Sequence, residues 1–404
     1  MATHFVMCEA GFFVALILTM AIVPSLCGVW WRKWYPVVTA MIAVPAAILV
    51  GFKEPVALPG MAHEYLSFIT LLGALYVISG GILIDTPARG RPGSNALFLL
   101  AGAVAANLVG TTGASVLLIR PLLRANGWRV HTTHIWVFFV FVVSNIGGLL
   151  TPLGDPPLFL GFLHGVPFFW TLKLIPVWSV AVGTLVVLFW LIDRFQVSRE
   201  TGSCIAVGRA ELHGTPNVGL LACVMGSMFL PFPYRELGMG LAVAVSLRVS
   251  SPEIRRRNDF TYHPIIEVAV LFAGLFVTMI PVQSMLQASA RPAWLASTAH
   301  VFWAAGGLSS VLDNAPTYLV FTLMAKGVEG GGVTVAGVPE SLLVAISLGC
   351  VMMGAMTYIG NGPNLMVNAI CEDEGRRMPS FFGYMLWSGL ILIPLFALIA
   401  WAFL

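Results

Sequence analysis

The chain has 404 residues, 58% of them hydrophobic and only 10% charged, with a formal net charge of +3. A mean hydropathy of +0.90 and recurring apolar runs of about 17 residues or more exclude a soluble domain of useful size and describe a polytopic, all-α integral membrane protein. Nothing in so apolar a chain suggests a nucleic-acid partner; its solvent is the lipid bilayer. The six cysteines form no C-x-x-C pair, so neither a disulfide framework nor a thiolate metal site is expected.

In chain order, plain apolar spans are predicted at about 7–29, 35–52, 65–85, 168–192, 216–232, 237–249, 264–283 and 381–404. No Lys or Arg precedes the first run and no A-x-A-like site follows it, so it reads as a membrane span rather than a signal peptide. Four further segments are apolar but cut by Gly, Pro, Asn, Asp and Thr: about 95–123, 132–163, 295–325 and 341–370. Freed backbone groups cannot face lipid, so these cuts must be buried in protein or line a watery cavity.

The cuts recur. NLVGTTGASVLLIRPLL (107–123) aligns with VLDNAPTYLVFTLM (311–324), and TPLGDPPLFL (151–160) with TYIGNGPNLMV (357–367), while Glu64 aligns with Glu267. The pattern predicts two repeats, 1–195 and 210–404, joined by a cytoplasmic linker at 196–209. Each repeat holds five transmembrane helices, one of them broken, and one re-entrant hairpin. Five crossings per repeat invert the second copy. With both termini outside, every one of the 21 basic residues except Lys53, Lys173, Arg235, Arg291 and Lys326 falls on the inner side, as the positive-inside rule requires. Inverted repeats with matching discontinuous helices point to a secondary transporter whose site lies where the breaks meet.

Those breaks supply the candidate site. The first repeat offers Thr111 and Thr112 at its hairpin tip, and Asn145, Thr151 and Asp155 on its broken span. The second offers Asp313, Asn314 and Thr317 at its tip, and Asn361 and Asn364 on its broken span. An ionisable group at membrane depth is functional by default. Oxygen-rich, rigid and partly anionic, such breaks suit Na⁺, with Asp155 and Asp313 as its carboxylate ligands. The carboxylates are placed asymmetrically: Asp155 lies on a broken span and Asp313 on a hairpin. Glu64 and Glu267 are candidates for a proton relay, against the plainer reading of headgroup-level pairing.

LSSVLDNAPTYLVF (308–321), NIGGLLTPLGDPP (145–157) and GNGPNLM (360–366) together resemble the ion transporter superfamily. That group includes NhaD-type sodium/proton antiporters, arsenite permeases, citrate transporters and INDY-type dicarboxylate carriers. The resemblance implies an elevator-type carrier in a bacterial inner membrane, a homodimer built on scaffold spans, and ions held between hairpin tips and broken spans. On that reading Asp155 belongs to a first ion site and Asp313 to a second. Gly110-Thr111 stands where NhaD-type chains place Asp-Asn, and the Ser-Asn-Thr tips of the INDY-type carriers are missing at both hairpins.

The function expected first is cation/proton antiport, Na⁺ against H⁺. The two carboxylates alternately hold the ions, and Na⁺ and H⁺ serve as cargo or coupling ions rather than cofactors. The alternative is Na⁺- or H⁺-coupled transport of a small carboxylate such as citrate, or of another anion. A channel is disfavoured, because a stationary filter needs no two different carboxylate sites. No Ser/His or His-x-x-x-His pairing lies at membrane depth, so no enzyme is expected.

Overall fold

A computed structural model describes residues 2–85, 90–200, 211–288, 293–328 and 332–404. It is an all-α polytopic membrane protein. The helices are α1 (Ala2–Lys53), α2 (Ala57–Ser79), α3 (Pro92–Ala125), α4 (Thr133–Val142), α5 (Pro156–Leu163), α6 (Ile175–Val197), α7 (Thr215–Ser227), α8 (Tyr234–Val249), α9 (Pro252–Arg257), α10 (His263–Ala288), α11 (Thr298–Ser309), α12 (Asn314–Ala325), α13 (Glu340–Met353), α14 (Gly362–Asp373) and α15 (Phe381–Phe403). Sheet is confined to two antiparallel pairs among the described residues: β1 (Leu83–Asp85) with β2 (Glu211–His213), and β3 (Thr334–Val335) with β4 (Val338–Pro339). Most of the predicted linker, and Arg89, Arg209 and Arg291, lie outside the described residues.

Seven helical stretches among the described residues are long and apolar enough to cross a bilayer. Two long helices nevertheless double back. In α1, Leu16, Thr39 and Ala43 all lie within 3.5 Å of where a Cβ on Gly274 would stand. A straight helix at about 1.5 Å per residue would hold Leu16 and Thr39 roughly 35 Å apart. The chain turns at Cys27, whose φ/ψ of −137°/48° is not helical. The two predicted spans at 7–29 and 35–52 are thus present, but joined by one residue rather than a loop.

The hairpin expected at 95–123 is α3. Asn95 Nδ2 donates to Asn126 Oδ1 at 2.9 Å, and Asn126 Nδ2 returns a bond to Asn95 Oδ1 at 3.1 Å. Both ends of α3 therefore meet. The reversal falls at Gly110, with φ 78° and ψ 154°, a conformation that is essentially restricted to glycine. The expected second hairpin is α11 and α12, separated at Ser310–Asp313, with Trp294 and Phe321 in ring contact across its base at 6.3 Å.

Other boundaries shift. Helix α2 begins eight residues before the predicted 65 and stops at Ser79. Gly80 and Gly81 then turn the chain, and a Cβ on Gly81 would stand 2.6 Å from Asn217 Nδ2. Helices α7 and α8 have 13 and 16 residues, short of the roughly 20 that a full crossing needs. They run antiparallel, tied where Ser246 Oγ donates to Asn217 Oδ1 at 2.6 Å.

Packing sorts the helices into two groups. Helices α1, α2, α7, α8 and α10 pack on one another; α3–α6 and α11–α15 form the other group, and α2 and α10 meet it through α3, α5 and α12. At its heart is α4, every residue from His134 to Val142 buried. A helix apolar all round belongs in such a centre. By contrast, an apolar 18-residue window of each of Trp30–Lys53, Phe168–Val197 and Phe381–Phe403 has only 22%, 28% and 28% of its residues buried, leaving apolar flanks for lipid.

Candidate functional site

The two broken segments are closed by the same bonds. In one, Thr151 Oγ1 donates to the Asn107 carbonyl at 2.5 Å and accepts the Gly154 N–H at 3.1 Å. In the other, Thr357 Oγ1 donates to the Ser310 carbonyl at 2.5 Å and accepts the Gly360 N–H at 3.1 Å. Each threonine fastens its broken span to the first arm of its hairpin. A Cβ on Gly154 would stand 2.1 Å from the Gly148 carbonyl oxygen, and one on Gly360 2.6 Å from that of Gly354. Only glycine permits either approach. Thr151 is therefore a fastener, its hydroxyl bonded to Asn107 and Gly154 rather than to Asp155.

That cluster centres on Asp155, buried at 1% exposure. Its Oδ1 accepts the Thr111 hydroxyl at 2.9 Å and Asn361 Nδ2 at 3.1 Å. Its Oδ2 accepts Asn314 Nδ2 at 2.5 Å. No lysine or arginine is among these partners. Asn361 Nδ2 also faces Asn145 Oδ1 at 3.1 Å, and Asn145 Nδ2 donates to Asn364 Oδ1 at 2.7 Å. Asn364 Nδ2 in turn reaches the carbonyls of Gly354 and Thr357, both at 2.9 Å. Asp155 thus bonds to residues from both halves of the chain, and the amides extend as one network across them.

Where these residues sit in their helices matters. Thr111 opens the second arm of α3, Asp155 precedes α5, Asn314 opens α12, and Asn361 precedes α14. Four helix N-termini therefore converge on one carboxylate. Each such end carries about half a positive charge and unpaired N–H groups.

Asp313 has a different job in the observed geometry. Its Oδ1 accepts the Ala315 N–H at 3.0 Å, capping α12, and the Thr317 hydroxyl donates to the Asp313 carbonyl at 3.1 Å. Neither residue bonds to Asp155. Thr112 lines a cavity of about 50 Å³ between the α3 tip and the faces of α2 and α10, with Gly110, Gly154, Tyr76 and Ile265. The proton-relay candidates lie away from the cluster. Glu64 Oε2 is 3.5 Å from His164 Nε2. Glu267 accepts Trp31 Nε1 at 3.0 Å and stands 3.8 Å from His263.

A buried ionic network outside the breaks was not foreseen from sequence. Asp193 takes a bond from the guanidinium of Arg129, another from His134 Nε2 at 2.8 Å, and a third from Asn95 Nδ2 at 3.1 Å. It locks both ends of the α3 hairpin to α4 and α6. Nearby, Glu200 accepts the N–H groups of Val130 and His131 at 3.0 and 2.7 Å. Burial pushes its carboxyl up, but these bonds outweigh it and hold the group below the ordinary range.

Asn314 Oδ1 is buried beside Asp155 with no hydrogen-bond partner, and hard cations take oxygen ligands of this kind. Among the described residues no group of three His, Cys, Asp or Glu side chains could hold a metal ion. No curated protein matches the chain. Residues 3–404 match the family CitMHS_2, described as "Putative citrate transport". A match over nearly the whole chain, on a helical membrane fold whose breaks converge on one buried carboxylate, shows that this protein belongs to that transporter family.

Proposed function

We propose that the protein is a secondary active transporter of a small carboxylate, citrate first among them, driven by Na⁺ or H⁺ bound at the Asp155 cluster. The observation that carries the reading is the Asp155 carboxylate itself, held at the junction of four helix N-termini with no basic side chain bonded to it. A cation or a proton bound there adds positive charge to a junction that the helix ends have already brought close to neutral. The resulting surplus of positive potential favours an anion. Family membership supports a carboxylate as that anion. It moves the weight away from Na⁺/H⁺ antiport, the function expected first from the sequence.

The same reading takes the chain as two inverted repeats, 1–195 and 210–404, with both termini outside the cell. The matched threonine fasteners support it, as does the gathering of arginines at one end of the molecule. There Arg120 reaches the Asn258 carbonyl at 2.6 Å and Arg376 the Arg129 carbonyl at 3.2 Å. Helices α1, α2, α7, α8 and α10 act as the scaffold of a homodimer, and the other group carries Asp155 past it in an elevator movement. Asn145, Asn314, Asn361, Asn364, Thr111 and Thr112 hold cargo and coupling ion, with Asp313 and Thr317 beside them.

Reconstitution in liposomes loaded with a pH dye tests this. External labelled citrate should be taken up, and Na⁺ or a proton gradient should accelerate it. Proton movement driven by NaCl or LiCl alone, with no citrate uptake under any gradient, would restore antiport and sink the carboxylate reading.

A further inference from the structure

His164 closes the C-terminus of α5, and Asp155 stands at the N-terminus of the same eight-residue helix. The helix is rigid and about 12 Å long. Its far end touches the scaffold group, because Glu64 Oε2 on α2 lies 3.5 Å from His164 Nε2. The other ring nitrogen is committed: Nδ1 lies 2.9 Å from the Leu160 carbonyl oxygen, which can only accept, so Nδ1 carries a hydrogen. A neutral ring then presents a lone pair at Nε2, directly opposite a carboxylate oxygen that is buried and has no hydrogen-bond partner. A proton placed between the two would turn this opposition into an attraction.

We infer that Glu64 and His164 form a second proton-binding site, shared across the boundary between the α2 scaffold and the α5 unit. When α5 moves relative to α2 the pair separates, its two members no longer share the proton, and the proton passes to solvent. Proton occupancy at this end is thereby linked to the movement of Asp155. The repeat mate Glu267 does not do this, since its partners Trp31 and His263 lie on α1 and α10 within the scaffold group.

Other titratable groups surround the pair. His63 lies beside Glu64 on α2, in edge contact with Phe232 at 4.2 Å. Arg235 and Glu236 on α8 bond to each other and to Ser67. Lys173 and Glu340 bond to each other at 2.5 Å. The titratable residues of α10, His263 and Glu267, lie in its first turns at the opposite end, and α12 adds Tyr318.

The consequence for transport rests on the carboxylate reading, whereas the shared proton does not, so two measurements are made on the full chain in proteoliposomes. The first is infrared difference spectroscopy between acidic and neutral buffer without substrate. Wild type should show carboxyl and imidazole bands that change together, and both changes should vanish in Glu64→Gln and in His164→Gln. The second is labelled citrate uptake against external pH. Each variant should displace the midpoint of the profile by about half a unit or more, and the double variant should match the single ones instead of adding to them. Infrared changes in both variants identical to wild type would overturn the shared proton, whatever the protein transports. Active citrate uptake with an undisplaced profile in both variants would overturn its link to movement.

Discussion

Replacing Asp155 by Asn keeps the shape of the side chain and removes its charge. The donors around it are the Thr111 hydroxyl and the amides of Asn361 and Asn314. If the new Oδ1 takes the place of the old, Thr111 and Asn361 keep an acceptor and the new Nδ2 faces Asn314. Asn314 can answer by turning its amide, because its own Oδ1 is buried and unengaged. The cluster then loses the charge assistance of its bonds, about 1 kcal/mol each. It also escapes the cost of burying a charge, which is of similar or larger size. Thermal unfolding in detergent should therefore move by only a few degrees, on the order of 1–2 kcal/mol. Cation binding should suffer far more. A unit charge about 4 Å from the ion, at an effective dielectric of roughly 20, is worth about 4 kcal/mol, close to a thousandfold in affinity. Citrate uptake should fall to background while the fold persists. An Asp155→Asn protein that takes up citrate at the wild-type rate, with the wild-type dependence on Na⁺ and pH, would refute the reasoning.

Asp313→Asn should leave stability unchanged, because Asn caps a helix about as well as Asp, and should still lower uptake at least about tenfold; a wild-type rate would confine Asp313 to its cap on α12. Asp193→Asn should cost about 3–5 kcal/mol by leaving Arg129 charged and buried without its carboxylate, read as a collapsed unfolding midpoint; an unchanged midpoint would show that the network holds no such charge. Gly110→Ala places a Cβ at φ 78° and 3.2 Å from the Leu153 carbonyl oxygen, and should destabilise by about 1–3 kcal/mol. Thr151→Val and Thr357→Val should each cost about 1 kcal/mol, and near-equal losses are expected from near-equal bonds.

The breaks were legible in the sequence because glycine and proline act locally. Gly110 reverses α3 where GTTG had marked a tip, and the Gly-Asp-Pro and Gly-Asn-Gly-Pro runs end one helix and start another. The spacing of the two halves aligns Thr151 with Thr357, and each closes its own break with a matching pair of bonds. What the sequence could not show is which residues converge from afar. Asn314 is 159 positions from Asp155 and Asn361 is 206, and no local pattern encodes that meeting. Asp193 and Arg129 are both fully buried, and the Asp193 carboxylate is held by Arg129, His134 and Asn95 from three different segments. His164 was invisible for the same reason, since its partner lies on another helix. The turn at Cys27 was expected as a loop near Trp30–Trp34, but those residues are helical, and Trp31 and Tyr35 carry that arm onto α10.

The electrostatics of the junction connect the two functions that the sequence left competing. Four helix ends contribute about half a positive charge each, roughly two in total, against the two carboxylates of Asp155 and Asp313. The empty junction is thus close to neutral without any lysine or arginine. A bound Na⁺ or proton makes it positive, and a positive, dehydrated junction lined by amides and hydroxyls attracts an anion. Without the cation, the anion meets Asp155 and is repelled. Ordered binding of this sort needs no basic residue bonded to Asp155. If the protein carries an anion together with a cation, as proposed, coupling has a physical cause: the cation converts a neutral site into an attractive one. A carrier built this way should show an apparent citrate affinity that rises with Na⁺ or proton concentration. An affinity independent of both would mean that the helix ends alone hold the anion.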